Sequence, residues 1–196
     1  MDWDERYSEP GYAYGESPND YLVSMVDKIK GKQVLSLAEG EGRNAIYLAS
    51  KGFNVTAVDS SVVGLTKANE LASQKQVSIS TEQADLTDYE PGIEQWDAII
   101  SIFCHLPEVI RKQLHKKVMQ ALRPGGVLIL EAYIPKQLEF ATGGPPSASL
   151  MMSLDKVAHE LQGMELELAQ EIERDVIEGK YHHGRAAVLQ ILARKK

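Results

Sequence analysis

The sequence lacks several features that would place it in other classes of protein. It contains one cysteine, Cys104, among 196 residues, so an internal disulfide cannot form. No stretch approaches the roughly 18 consecutive apolar residues that a membrane-spanning helix needs. The first residues also lack the apolar core of a secretory signal. We therefore expect a soluble, cytoplasmic protein that does not bind membranes.

Positive charge is also scarce. The chain has 21 Lys and Arg against 28 Asp and Glu, a net charge of −7, and the two signs are interspersed. This balance disfavours nonspecific binding of nucleic acid. The length suits one domain with a single core. We expect one domain over residues 1–196 that acts on a small molecule as a monomer or a weak homodimer.

The most informative segment that is present is an apolar run followed by two glycines. Val34 to Leu37 leads into Gly40 and Gly42, and a helical pattern follows at once. Glycine at such a position permits a sharp turn and the close approach of a ligand to the backbone. A second apolar run ends at Asp59, where a carboxylate can bind the hydroxyls of a ribose. Together these features predict a nucleotide-containing cofactor.

The glycine segment by itself leaves the cofactor open. Gly40 to Ala45 also matches the dinucleotide fingerprint G-x-G-x-x-A, with an acidic residue at the expected distance. An NAD-dependent oxidoreductase is therefore an alternative hypothesis.

The apolar periodicity alternates between strand-like runs and helical spacing, which is typical of an α/β fold. Short apolar runs of this kind suit parallel strands covered on both faces. The predicted strands are Gln33 to Leu37, Asn54 to Val58, Val77 to Thr81, Ala98 to Ile102 and Val127 to Ala132. The predicted helices are one capped by Asn19 or Asp20 that reaches Ile29, Arg43 to Ser50, one capped by Ser60 or Ser61, and Glu108 to Leu122.

The pattern changes after the fifth strand. A loop or insertion from Ile134 to Ser149 contains Gly143-Gly-Pro-Pro146, and a helix is predicted from Leu154 to Leu161. Two further strands, Leu166 to Ile177 and Ala187 to Ala193, flank a turn at Glu178-Gly-Lys180. The sequence therefore predicts a terminal hairpin.

Further motifs occur in the same order as in a known family. Ala84-Asp85-Leu86 follows the third strand, Trp96 to Ile100 starts the fourth, and Arg123-Pro-Gly-Gly126 leads into the fifth. With the glycine segment and Asp59, this set resembles the class I S-adenosylmethionine-dependent methyltransferases. The resemblance implies a Rossmann-like, doubly wound α/β fold with seven strands, mostly parallel, and one antiparallel strand in a C-terminal hairpin.

Four shorter segments resemble a subgroup of that family. The segments similar to the tellurite-resistance and thiopurine-type methyltransferases are Met1 to Tyr7, Tyr14 to Pro18, Gly42 to Ala49 and the ending Leu192 to Lys196. The implied organisation is a lid and leading helix over residues 1–30, a cofactor-binding core over 31–133, a substrate-side insertion over 134–163 and a hairpin over 164–196.

The resemblance implies S-adenosylmethionine as cofactor and S-adenosylhomocysteine as product. It places the glycine segment beneath the methionine portion, an acidic pair at the ribose and adenine, and the end of strand four beside the methionine. The cofactor residues implied in this way are Ala38, Glu39, Gly40, Gly42, Arg43, Asp59, Ser60, Asp85, Leu86, Phe103 and Cys104. Asp59 and Asp85 could instead cap turns, and Cys104 could be a core residue.

The sequence departs from the family pattern at two positions. Ser36 stands where many members have an acid, and Ala38 where they have a glycine. Glu39 or Glu41 could supply the missing charge, with Arg43 neutralising a glutamate or the cofactor carboxylate. Both glutamates could equally be solvated.

The resemblance implies a small, soft nucleophile as methyl acceptor, either a thiol or a tellurium or selenium oxyanion. The candidate catalytic residues are His105, His182, Arg185 and Tyr7, and the last belongs to an aromatic N-terminal segment that could close over the site. His182 and His183 are adjacent, so they point to opposite faces of a strand and no metal site is expected. A protein that binds S-adenosylmethionine without catalysis is a further alternative.

Overall fold

The chain folds around one seven-stranded sheet with helices on both faces. The computed structural model describes residues 2–196. The strands are β1 (Gln33–Leu37), β2 (Asn54–Asp59), β3 (Ser80–Gln83), β4 (Trp96–Ile102), β5 (Leu122–Tyr133), β6 (Met164–Glu178) and β7 (His182–Lys195). Their order is β3-β2-β1-β4-β5-β7-β6, and only β7 runs antiparallel to its neighbours. The predicted fold class is confirmed.

Residues 2–196 contain six α-helices, of which two precede β1 and four connect strands. They are α1 (Trp3–Tyr7), α2 (Asp20–Met25), α3 (Arg43–Ser50), α4 (Val62–Gln74), α5 (Glu108–Ala121) and α6 (Leu154–Glu160), with short 3-10 helices at Val26–Lys28, Pro135–Glu139 and Ala148–Leu150. Asn19 and Ser61 cap α2 and α4 as N-cap residues whose side chains accept backbone N–H groups.

The central strands are buried because both of their faces carry apolar side chains. Leu35, Ile99 and Leu128 pack on one side of the sheet, whereas Val34 and Ile100 pack on the other. Such continuous apolar strands are expected where helices cover both faces of a parallel sheet. β1 lies between β2 and β4, so successive strands are added on one side of β1 up to β3 and on its other side from β4 onward. A crevice forms at the carboxyl ends of the strands where this order reverses.

Several element boundaries differ from prediction, and β5 begins at Leu122 instead of Val127. The third strand begins at Ser80, because Val77 donates its N–H to Ala72 and closes the end of α4. The leading α-helix ends at Met25 and tightens into a 3-10 turn. The hairpin strands are longer than predicted, since β6 is a polar edge strand without a continuous apolar signal.

Within residues 2–196, no helix combines the length and apolar character that crossing a membrane requires.

Candidate active site

A cavity of about 1050 Å³ lies at the carboxyl ends of the parallel strands. It is open at one side, and the N-terminal segment, the β4–α5 connection and the tip of the β6–β7 hairpin form its walls. Of the residues predicted from sequence, those that line it are Tyr7, Ala38, Glu39, Arg43, Asp59, Ser60, Asp85, Leu86, Phe103, Cys104, His105 and His182. The structure thus brings most of the predicted site together.

The glycine loop after β1 has the tight geometry that its sequence predicts. Gly40 and Gly42 have φ values of +62° and +92°, in the left-handed region. A Cβ on Gly42 would lie 2.7 Å from the Cβ and 2.9 Å from the Cα of Ala68, so α4 leaves no room for a side chain. Ala38 also has a positive φ, +49°. The loop therefore lies close to both α4 and the cavity wall.

Glu39 caps a helix. Its carboxylate accepts the backbone N–H groups of Asn44 (2.9 Å) and Ala45 (2.8 Å) at the start of α3, and the hydroxyl of Ser36 donates to its other oxygen. Burial raises the pKa of Glu39, and these hydrogen bonds oppose the rise. The hypothesis of a solvated or cofactor-bound Glu39 is corrected: the small Ser36 leaves room for a carboxylate that serves the helix N-terminus.

Glu41 anchors the N-terminal segment. It is buried, it accepts the N–H of Ala13 (2.7 Å), and it pairs with Nζ of Lys67 (2.6 Å). Nζ of Lys67 also donates to the carbonyls of Tyr7 (2.8 Å) and Gly11 (2.5 Å). The hypothesis that Glu41 is solvated is therefore wrong, and Lys67 holds this segment against α4.

Asp59 is a buried carboxylate at the tip of β2. Its two oxygens accept the N–H groups of Gly40 and Ser61, each at 2.8 Å, and burial raises its pKa. A carboxylate has about four lone-pair sites, so it can accept further donors from the cavity. Asp85 is exposed at the mouth and accepts the N–H of Thr87 (2.8 Å), which lowers its pKa. Both acids stabilise turns while they line the cavity.

His105 is held by backbone groups on both ring nitrogens. Nδ1 lies 3.1 Å from the carbonyl of Leu150, and Nε2 accepts the N–H of Tyr133 (3.3 Å). Burial lowers its pKa to about 4. A ring with both nitrogens occupied cannot exchange a proton with a substrate. The predicted catalytic role of His105 is corrected: this neutral histidine positions the chain after β5.

Cys104 and Tyr7 are both kept in their protonated forms by burial. The pKa of the Cys104 thiol rises to about 12, and that of the Tyr7 phenol rises well above its usual range. Tyr7 packs over the glycine loop, where its hydroxyl occupies the space that a Cβ on Gly40 would need. Tyr7 therefore lines the cavity next to the glycine loop, and its catalytic role stays a prediction.

Arg185 lies outside the cavity. Its guanidinium is half exposed and lies 3.3 Å from the carboxylate of Glu173. Successive side chains of a strand point to opposite faces, so Arg185 and His183 face away from the side that His182 occupies. His182 lines the cavity, and its ring centroid lies 4.8 Å from that of Phe103. The predicted catalytic role of Arg185 is therefore corrected.

Arg6 lines the cavity and was missed in the sequence. Tyr14, one of the aromatic residues predicted to form a lid, and Tyr181, from the hairpin turn, line it as well. The guanidinium of Arg6 lies 3.7 Å above the ring of Tyr181, and no carboxylate within residues 2–196 forms an ion pair with it. The many aromatic residues near Arg6 in the sequence could have indicated that this segment lines the cavity.

Arg43 forms an ion pair with a residue that is distant in the sequence. Its Nη2 lies 2.6 Å from Oε2 of Glu178, and both side chains are buried. The cation after the glycine loop therefore neutralises a glutamate, as one of the two hypotheses for it proposed, but the partner is neither Glu39 nor Glu41.

Comparisons with known proteins identify the segment that carries the glycine loop. Residues 34–126 match the family model described as a methyltransferase domain. Residues 34–126 are therefore similar to a methyltransferase domain. This similarity agrees with the predicted enzyme class and with S-adenosylmethionine as the expected cofactor.

One curated relative is similar in sequence, and two solved structures are similar in fold. A glycine/sarcosine N-methyltransferase from Aphanothece halophytica is 32% identical over 66% of this chain and 50% of its own length. TehB from Haemophilus influenzae is 21% identical with a TM-score of 0.76, covering 91% of this chain and 62% of that chain. A SAM-dependent methyltransferase from Methanosarcina mazei is 15% identical with a TM-score of 0.72, covering 87% and 96%. The chain spans about half the length of the curated relatives it matches.

Proposed function

We propose that the chain catalyses S-adenosylmethionine-dependent methyl transfer to a small, soft nucleophile, either a thiol or a tellurium or selenium oxyanion. The observation that carries this proposal is the mixed lining of the cavity, which includes Ala38, Asp59 and Leu86 as well as the aromatic residues Tyr14 and Phe103. We assign the first three residues to a cofactor half and the aromatic residues, which we call the aromatic wall, to an acceptor half. A nucleotide cofactor suits the first half, and a polarisable acceptor suits the second.

The residues present fit the cofactor. The lone pairs of Asp59 that its backbone donors leave free suit ribose hydroxyls, and Asp85 with Leu86 suits the adenine edge. Gly40 faces Tyr7 and Gly42 faces Ala68, so their neighbours Ala38 and Glu39, which line the cavity, suit the methionine portion. The cofactor, when bound, supplies a methyl group on a sulfonium.

The chain has to place the acceptor opposite that methyl group and exclude water from it. Aromatic side chains can pack against a sulfur, selenium or tellurium atom, and Arg6 offers a cation to an anionic acceptor. An in-line displacement needs no covalent intermediate on the protein. The aromatic wall and Arg6 are therefore sufficient to position the acceptor.

The direct test is calorimetric titration of the protein with S-adenosylmethionine, S-adenosylhomocysteine and NAD. We expect micromolar binding of both sulfur nucleotides and no heat with NAD. Binding of NAD alone would overturn the proposal in favour of an oxidoreductase. A protein that binds the sulfur nucleotides but methylates no thiol, tellurite, selenite or glycine in an acceptor screen would be a non-catalytic binding protein.

We also propose that the N-terminal segment, residues 2–15, acts as a lid. It contributes Trp3, Arg6, Tyr7 and Tyr14 to the cavity wall, and Lys67 fastens it from α4. An aromatic lid excludes water during methyl transfer.

Replacing Lys67 by methionine should release the lid without unfolding the domain. The variant loses donors to the lid carbonyls of Tyr7, Glu9 and Gly11 and to Glu41, so we expect proteolysis within residues 2–15 to become about tenfold faster. We also expect weaker cofactor binding. Lys75→Met is the matched control on the end of the same helix, because Lys75 forms only an exposed pair with Glu16. If Lys67→Met is cleaved at the wild-type rate, Lys67 does not hold the lid.

A further inference from the structure

Glu178 is a buried carboxylate next to two residues that line the cavity, Arg43 and His182, and the sequence motifs assigned it no role beyond the hairpin turn. It is the last residue of β6, where its Oε1 accepts Nδ2 of Asn19 (2.8 Å) and its Oε2 accepts Nη2 of Arg43 (2.6 Å). Two donors from different parts of the chain therefore fix its position. Burial by itself opposes ionisation, but His182 and Arg43 hold the pKa of Glu178 at about 2.

The same carboxylate faces His182 across the hairpin turn. Nδ1 of His182 is buried, has no hydrogen-bond partner within residues 2–196, and lies 3.6 Å from Oε2 of Glu178. Hydrogen bonds of catalytic groups are often long before a substrate is bound. Since Nδ1 is directed to the carboxylate, Nε2 is the ring nitrogen that remains for the cavity, which the ring lines.

The ring of His182 is also fixed by its packing. Its centroid lies 4.6 Å from that of Tyr14 and 5.2 Å from that of Tyr133. A Cβ on Gly143 would lie 2.9 Å from Cδ2 of His182, so the loop after β5 passes directly against the ring edge. This close approach explains why the loop carries a glycine there.

We propose that Glu178 and His182 form a carboxylate–histidine pair in which Nε2 of His182 is the general base for the methyl acceptor and Glu178 is its positioning residue. The inference rests on the proposed methyltransferase function and narrows the acceptor to one that arrives protonated, a thiol. A carboxylate at Nδ1 fixes the proton on that nitrogen and leaves the lone pair of Nε2 free.

The chemical step balances without another reactant. The thiol proton moves to Nε2 of His182, and the sulfur lone pair forms a bond to the methyl carbon. The carbon–sulfonium bond breaks, and its electron pair stays on the departing sulfur, which becomes a neutral thioether. The imidazolium of His182 is stabilised by Glu178 and returns its proton to water after product release.

The surroundings of His182 keep the ring neutral near pH 7. Burial lowers its pKa, Glu178 opposes that change, and Arg43 and Arg6 add to it. The titratable groups that face it from the packed elements are Arg6, Tyr14, Arg43, His105, Tyr133 and Glu178. A neutral imidazole is the form that can accept a proton.

The first test is nitrogen NMR of the histidine side chains in the cofactor-free protein. We expect His182 to be neutral at pH 7 with its proton on Nδ1. In Glu178→Gln the pKa of His182 should fall, because a carboxylate that favours the imidazolium has been removed. An unchanged pKa, or a proton on Nε2 in the wild type, would overturn the proposal.

The second test compares two thiols as acceptors. β-Mercaptoethanol is largely protonated at neutral pH, whereas para-nitrothiophenol is already anionic and needs no base. His182→Gln should lower kcat/KM about 100-fold for the first and less than about threefold for the second, and Glu178→Gln about tenfold for the first alone. His183→Gln, whose side chain is exposed on the opposite face, is the matched control.

The outcomes separate this inference from the proposed function. Equal losses with both thiols would show that the pair is structural and overturn the base assignment. Binding of S-adenosylmethionine by the wild type without methylation of either thiol would overturn the thiol assignment. Absence of S-adenosylmethionine binding in calorimetry would instead refute the proposed function itself.

Discussion

Replacing Glu160 by alanine should lower the free energy of unfolding by about 3–5 kcal/mol. Glu160, at the end of α6, lies against two residues of α5. Its carboxylate accepts Nη2 of Arg111 (2.6 Å) and lies 2.7 Å from Nδ1 of His115. All three side chains are almost completely buried. The alanine variant leaves the charge of Arg111 in the core without a partner, which is far more costly than the loss of an exposed pair.

Glu160 should also make the free energy of unfolding depend on pH. Burial opposes ionisation of Glu160, but His115 and Arg111 lower its pKa to about 2 from an ordinary value of 4.5. Because the folded-state pKa is depressed, its contribution is complete above about pH 4.5 and is lost as the pH falls towards 2. The wild type should lose stability across that window, and Glu160→Ala should lose less.

Chemical denaturation at several pH values measures both effects. Glu108→Ala is the matched control, since Glu108 pairs with Lys112 of α5 and Lys156 of α6 on the surface. Little change is expected there, because exposed ion pairs contribute little to stability. If the two variants are equally stable, the buried cluster does not hold α6 to α5.

Replacing Asp59 by alanine should weaken S-adenosylmethionine binding about 100-fold or more. Charge-assisted hydrogen bonds contribute about 1.5–3 kcal/mol each, and two ribose hydroxyls at Asp59 correspond to roughly 3 kcal/mol or more. Each 1.4 kcal/mol is about a tenfold change in Kd. The variant also removes the acceptor for the N–H of Gly40, so the glycine loop loses part of its support.

Calorimetry with S-adenosylhomocysteine, together with thermal melting, checks this expectation. Asp88→Ala, an exposed aspartate three residues beyond Asp85, is the matched control and should bind like the wild type. Asp59→Asn, which retains one acceptor oxygen, should give an intermediate affinity. A cooperative melt with unchanged affinity in Asp59→Ala would remove Asp59 from the cofactor site.

The glycine loop and the acidic residue of the proposed cofactor half could be predicted from the sequence. Gly40 and Gly42 are required by a backbone with positive φ, and Asp59 ends a strand. The residues of the proposed acceptor half were harder to predict from the sequence. His105 and Arg185 have suitable chemistry, but the first is occupied by backbone groups and the second faces away from the cavity.

The sequence by itself determined the alternation of strands and helices, the glycine loop and the order of motifs, since periodicity and turn chemistry act over a few residues. Tertiary structure alone decided which charges meet. Arg43 and Glu178 are 135 residues apart in the chain yet bond at 2.6 Å, and Glu178 thereby comes to face His182. Such pairs depend on which helices and strands pack together in the fold. Because both charges are buried, removal of either one leaves the other without a partner at a high free-energy cost.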